Sequence, residues 1–186
     1  MGIFPWFSEE TEILWWSPNP RTVIEMTAVH LSRSLRRRLI HAEFEFSFDR
    51  AFRAVMLACS ERTEGTWILP SMVEAYERLH HEGHAHSFEV WKSGALVGGL
   101  YGVAVGKAFA GESMFHRVTD ASKAALVIAI RSLRRLGVEL FDVQYTTEHL
   151  TSMGSTEITR EQYLERLTVA AQTDLDYSRL VLDWKE

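Results

Sequence analysis

Asp142 and Gln144 stand two residues apart in "FDVQ", and Glu112 is the lone carboxylate of "FAGESMF". Residues i and i+2 of an extended chain share a face. A strand through "FDVQ" therefore presents a carboxylate and an amide side by side. Two such groups facing a core would be an error unless they line a cleft. The plain alternative is an Asp–Gln pair at the solvated rim of a strand. Glu112 follows "LVGGLYGVAVGKAF", which reads as buried strand. A carboxylate at the end of such a strand loses hydration at a cost unless something pairs with it.

Other clusters carry less. "HHEGHAH" offers His81, Glu82, Gly83, His84 and His86, but a helical zinc motif needs His-Glu and a second His three residues after the Glu, and Gly83 stops the helix. His84 and His86 would share a face of the next strand, and no metal is expected. Enzymes that use acetyl-coenzyme A hold its pyrophosphate on a glycine loop opening a helix. The nearest match, Arg134-x-x-Gly137-x-Glu139, ends in an acid at the negative end of a helix. No cofactor is expected. "GGLYGVAVG" lacks phosphate-loop spacing, so Gly98 and Gly99 read as close packing or as a place where a ligand nears the backbone. No Ser–His–Asp spacing is present.

The elements that must position these residues are legible in outline. Residues 1–21, with Trp6, Trp15, Trp16, Pro18 and Pro20, read as an extended aromatic arm that packs on one domain spanning 22–186. "TAVHLSRSLRRRL" reads as a short helix capped at Thr27, and "EFEFSF" as a half-buried strand. "SFDRAFRAVMLACSER" and "PSMVEAYERLHHE" read as helices, the second with Pro70 in its first turn. "HSFEVWK" and the run after it form a hairpin near "KSG". "TDASKAALVIAIRSLRRLG" is a helix capped by Thr119 or Asp120 and ended by Gly137. "VELFDVQYT" is a strand, "TREQYLERLTVAAQ" a helix with a Thr159/Gln162 capping box, and "SRLVLDW" a closing strand. This order predicts an α+β (mixed α/β) fold, a mixed sheet flanked by helices as in the acyltransferases that use acetyl-coenzyme A.

The 186 residues, 46% hydrophobic and 24% charged, suit one soluble domain. The single cysteine, Cys59, excludes an internal disulfide and reads as a buried thiol. No apolar run is long enough for a membrane span and "MGIFPWFSEE" is no signal peptide, so a cytoplasmic protein is expected. Net charge is −5, yet Arg33, Arg36, Arg37 and Arg38 cluster in "SRSLRRRL". Local patches, not net charge, decide nucleic-acid binding. A solvated helix face is the alternative.

"GIFPWF", "LWWSPNPR", "EGTWI", "AYERLHHEGHAHSFEVW", "LVGGLYGVAVGKAFAGESMF", "DASKAAL" and "FDVQ…HLTSMGS" follow one another in a single order. In these motifs the chain resembles the bacterial leucyl/phenylalanyl-tRNA–protein transferases of the N-end rule pathway. The resemblance runs through about the first 155 residues. It implies an acetyltransferase-like (GNAT-type) fold without coenzyme A. It also implies transfer of Leu or Phe, with Met a further candidate, from aminoacyl-tRNA to the N-terminal amine of proteins beginning with Arg or Lys, which marks them for degradation. On the same ground Asp142, Gln144 and Glu112 are the catalytic group, with Gln144 orienting the amine and Asp142 supplying negative charge. Trp6 and Trp67 would stack on the terminal adenosine. Tyr76, Phe109, Met114 and Leu126 would form the side-chain pocket, and Arg33, Arg36, Arg37 and Arg38 would meet the acceptor stem. The family's usual N-terminal region is absent or shortened here, and Thr147 replaces an Asn of some relatives. The expected form is a monomer. Two other readings stand beside this one: a non-catalytic tRNA- or degron-binding relative, and an acyl-coenzyme A N-acyltransferase.

Overall fold

The computed structural model describes residues 2–7, 12–41, 43–61 and 65–183. The aromatic arm folds back on itself, with β1 (Phe4–Pro5) antiparallel to β2 (Trp15–Trp16). The chain enters the main sheet at β3 (Arg21–Ile24), so the arm ends one residue before Arg21. There follow α1 (Arg33–Ile40), β4 (Glu45–Phe48), α2 (Phe52–Ser60), α3 (Pro70–His81), β5 (Ala85–Lys92), β6 (Ala95–Val105) and β7 (Ala108–His116). Then come α4 (Ala121–Leu136), β8 (Leu140–Gln144), α5 (Glu148–Ser152), β9 (Ser155–Ile158), α6 (Arg160–Ala171) and a 3-10 turn at Tyr177–Arg179.

Seven strands form one sheet in the order β4-β5-β6-β7-β8-β3-β9. All pairings are antiparallel except β7 with β8. Helices cover both faces, the mixed architecture that the element order predicts. Alternation along β6 sorts the two cores: Leu100 and Ala104 pack with α4, while Tyr101 and Val103 pack with α2 and α3. Cys59 is buried in the second core and is in no disulfide. Among the described residues no helix is long and apolar enough to cross a membrane.

Several boundaries differ from the sequence reading. "LVGGLYGVAVGKAF" is two strands, β6 and β7, turned at Gly106, whose φ is 56°. Only Gly106 and Lys107 separate the apolar residues of the two strands, so the turn is short enough to be hidden in the hydropathy. Ser32, not Thr27, caps α1 by accepting from the Leu35 N–H. Asp120 stands at the head of α4 with φ 69° and makes no side-chain cap; its carboxylate meets Arg38 at 3.3 Å and Lys123 at 3.9 Å. Gly137 ends that helix with φ 111°, and the Thr159/Gln162 capping box forms. "SRLVLDW" makes no strand through Asp183, and its Trp184 lies outside the described residues.

The histidine-rich stretch braces β5. His86 Nδ1 lies 2.7 Å from Asp49 Oδ2 and its Nε2 3.2 Å from the Gly83 carbonyl, while His80 stacks on Phe52. Asp49, His80 and His86 are the one cluster of metal-ligand type found among the described residues. Its ring nitrogens that face the cluster already have hydrogen-bond partners.

Close packing explains Gly98. A Cβ there would lie 2.6 Å from the Ala121 Cβ and 2.9 Å from the Ala121 carbonyl carbon. These are the backbone and Cβ of one residue in the first turn of α4, not the far end of a flexible side chain, so they cannot yield cheaply. Gly98→Ala is expected to push the first turn of α4 off β6, at about 1–3 kcal/mol of overpacking. A urea melt with a midpoint unchanged from wild type would refute this.

Candidate active site

Strand β7 pairs with β8 only over Ala108–Ala110 against Leu140–Asp142, and then the two strands part. Each carries an irregularity where they separate. Tyr101 and Gly102 of β6 pair with Ser113 and Gly111, so Glu112 is the extra residue of a bulge. Val23 and Thr22 of β3 pair with Asp142 and Gln144, so Val143 is the extra residue of another. Bulges re-aim side chains and break strict alternation. Glu112 thus stands in the middle of β7, at the gap, and not at a strand end.

Two cavities border this gap. The first, about 330 Å³, is lined by Trp6, Trp67, Leu100, Met114, Leu126 and Phe141 among others. The second, about 520 Å³, is lined by Tyr76, Phe109 and Asp142 with residues of α3 and α6. Phe4, Pro5, Glu112 and Gln144 line both. Trp6 packs against Tyr145 at 5.5 Å between ring centres, which carries the aromatic arm to the rim. Trp15 and Trp16 remain 60% and 42% exposed, so the arm buries less of its tryptophan surface than its composition suggests.

Of the predicted side-chain pocket, Met114 and Leu126 join Trp6 and Trp67 at the first cavity. Tyr76 and Phe109 line the second instead; Tyr76 belongs to the core under α2 and α3, whereas Phe109 packs in the same core as Met114 and Leu126. Arg33, Arg36 and Arg37 are exposed on α1, whereas Arg38 is half-buried and paired with Glu43 and Asp120.

Asp142 is fully engaged. Arg21 grips it with two bonds, Nε to Oδ1 at 2.8 Å and Nη2 to Oδ2 at 2.5 Å. The Tyr163 hydroxyl donates to Oδ2 at 3.0 Å, and the Gln144 N–H donates to Oδ1 at 3.0 Å. Burial alone would lower the Arg21 pKa, but the bond to Asp142 holds it above its ordinary value. Arg21 also donates to the Gly2 carbonyl at 3.0 Å, tying the arm to the sheet. Arg21 and Tyr163 were not legible as site residues, because partners 121 and 142 positions apart in the chain leave no local pattern.

The Asp142 bond fixes Gln144 at φ 62°, a left-handed conformation that costs a non-glycine residue about 1–2 kcal/mol. The Gln144 Nε2 is buried and has no hydrogen-bond partner among the described residues. Glu112 faces the same gap. Burial first, then the Asp142 charge, pushes its carboxyl up to about 8, against the opposing pull of the Tyr76 hydroxyl and Arg21. Burial and the Glu112 charge raise Tyr76 in turn, so it stays protonated and can donate. The arrangement joins two cavities through one carboxyl that titrates near neutrality and one amide held in a strained pose. That is equipment for joining an amine on one side to an acyl group on the other.

Residues 23–168 match the family model described as leucyl/phenylalanyl-tRNA protein transferase, and residues 1–19 match the model of that protein's N-terminal domain. The chain is 53% identical over 178 residues to the leucyl/phenylalanyl-tRNA–protein transferase of Methylococcus capsulatus, covering 94% of this chain and 76% of that one. It is 55% identical over 170 residues to the protein of that name from Syntrophobacter fumaroxidans, covering 89% and 73%. Among solved structures, a conserved protein of unknown function from Bacteroides thetaiotaomicron is similar over 84% of this chain and 57% of its own, at 11% identity and a TM-score of 0.45. With more than three quarters of its length matched by the family model, this chain belongs to the leucyl/phenylalanyl-tRNA–protein transferase family.

Proposed function

We propose that the chain transfers leucine or phenylalanine from aminoacyl-tRNA to the N-terminal amine of proteins beginning with Arg or Lys. The observation that carries this reading is the meeting of two cavities at Glu112 and Gln144. The first cavity takes the aminoacyl end of the donor. Trp6 and Trp67 offer faces for the terminal adenine, and stacking of this kind contributes about 1–3 kcal/mol per base. Leu100, Met114, Leu126 and Phe141 take the apolar side chain. The second cavity takes the acceptor's first residues, its amine placed at Glu112. Exposed arginines of α1 supply phosphate contacts, which are salt-sensitive and indifferent to sequence.

The tRNA ester is already activated, so the protein must position, deprotonate and stabilise. Glu112 as carboxylate holds the ammonium and takes its proton. The freed nitrogen attacks the ester carbonyl, the bond from that carbon to the ribose oxygen breaks, and the second proton that the nitrogen sheds as the amide forms goes to the leaving oxygen. Gln144 donates its unpartnered Nε2–H to the carbonyl oxygen as negative charge develops there. Asp142, neutralised by Arg21, acts as a positioning residue for Gln144, and Glu112 carries the negative charge toward the amine. The retained carboxyl–amide pair favours an enzyme over a binding relative.

The test is transfer of labelled leucine from Leu-tRNA to a peptide with N-terminal Arg, to one with N-terminal Ala, and to the Arg peptide acetylated at its amine. Transfer to the free Arg peptide alone is expected. Salt-dependent tRNA binding with no transfer to any peptide would favour the binding relative.

A further inference from the structure

His149 belongs to the first cavity, yet nothing above uses it. It sits on α5, five residues beyond Gln144, and its ring lines the cavity beside Thr147 and Leu150. Its Nε2 is shielded from solvent and has no hydrogen-bond partner among the described residues. A buried polar atom left unpaired carries a desolvation cost that a ligand group can relieve. Burial, then the Lys123 and His116 charges, hold the imidazole below its ordinary pKa, so it is neutral. Lys123 in turn stands 3.9 Å from Asp120, which also meets Arg38 of the basic helix α1. A chain of ion pairs, Arg38 to Asp120 to Lys123, therefore runs from α1 over the head of α4, and the Lys123 charge acts on His149.

Charge sorts the polar groups of an aminoacyl nucleotide among these residues. An α-ammonium is repelled by Lys123 and goes to Glu112. A phosphodiester goes to the cations. A neutral imidazole nitrogen suits a neutral hydroxyl, which both donates and accepts and so fits either tautomer. Granting the donor site proposed above, we infer that His149 Nε2 hydrogen-bonds the free ribose hydroxyl next to the ester, and thereby selects a ribonucleotide 3′ end. His149 is then a substrate-binding residue that helps set the ester against Glu112 and Gln144.

The experiment compares Leu-tRNA ending in adenosine with Leu-tRNA ending in 2′-deoxyadenosine, in wild type and in His149→Ala. The neighbouring hydroxyl also speeds uncatalysed aminolysis, so that ratio is measured alongside. Wild type is expected to prefer the ribose donor in kcat/KM by about 10–100-fold beyond the uncatalysed ratio. His149→Ala should bring the preference down to the uncatalysed ratio, and His149→Gln, which can still hydrogen-bond, should keep part of it. A full ribose preference in His149→Ala, with both donors slowed alike, would overturn the inference, as would a wild type with no added preference. Wild type inactive with ordinary Leu-tRNA would instead count against the proposed function. Binding of CCA trinucleotides ending in ribo- or deoxyadenosine would then decide His149 by the same change of ratio.

Discussion

Glu112→Gln should reduce kcat/KM for leucine transfer by about 10²–10³, within the usual span for loss of a positioned acid–base group. The pH profile identifies the cause. Wild type reacts through an ionised Glu112, whose carboxyl is pushed up to about 8, and an acceptor still protonated, whose amine has a pKa of about 7.7–8.0. Their product gives a narrow bell with an optimum near pH 8. With Gln at 112 nothing takes the proton, so only the free amine reacts, and the residual rate should rise and level off above pH 8. An unchanged bell in Glu112→Gln would remove Glu112 from the proton path.

The same shift has a stability consequence of known sign. The folded state binds the proton more tightly than the unfolded chain, whose carboxyl sits near 4.5, so wild type loses stability as pH rises from about 4.5 to about 8. Glu112→Gln carries no such cost. It should be the more stable protein at pH 8 and above, by an amount on the order of a few kcal/mol, and the gap should close below pH 4.5. Thermal melts of both proteins across that range decide the matter.

Arg21→Gln should cost about 3–5 kcal/mol, because it leaves the Asp142 carboxylate buried and unpaired. Both side chains are almost wholly sequestered, at 2% and 3% exposure, so water cannot take the place of the guanidinium. A loss of that size is a large part of the stability of an ordinary domain. Arg21→Lys keeps the charge without the two-pronged fork and should fall between the two. Activity should fall further than stability explains, since Asp142 holds Gln144 in its left-handed conformation and Arg21 holds the arm through Gly2. Tyr163→Phe isolates that effect: it removes one bond to Asp142 and leaves the ion pair. A loss of unfolding free energy under about 1 kcal/mol by urea titration in Arg21→Gln would mean that Asp142 finds another partner. Full kcat in Tyr163→Phe would mean that Gln144 needs no such support.

Much of this protein follows from local chemistry in the chain. The capping box of α6 and the glycine stop of α4 follow from backbone groups satisfied within a few residues. The mixture of strands and helices follows from hydrophobic period. Glu112, Asp142 and Gln144 stood out because polar groups in apolar strand are costly without a purpose. What the three do to each other was decided elsewhere. The bulges at Glu112 and Val143 exist only in the pairing of β7 and β8 with their neighbours, so no period in the sequence announces them. The division of Tyr76 from Met114 and Leu126 depends on which face of the sheet each packs against. Arg21 and Tyr163 reach Asp142 across more than a hundred residues in one case and from a separate helix in the other. Burial and the charges packed around it, not the residue's own type, place the Glu112 carboxyl near neutrality. Sequence by itself determined which groups were out of place in a core; tertiary structure decided their partners, because desolvation and charge pairing act through space and not along the chain.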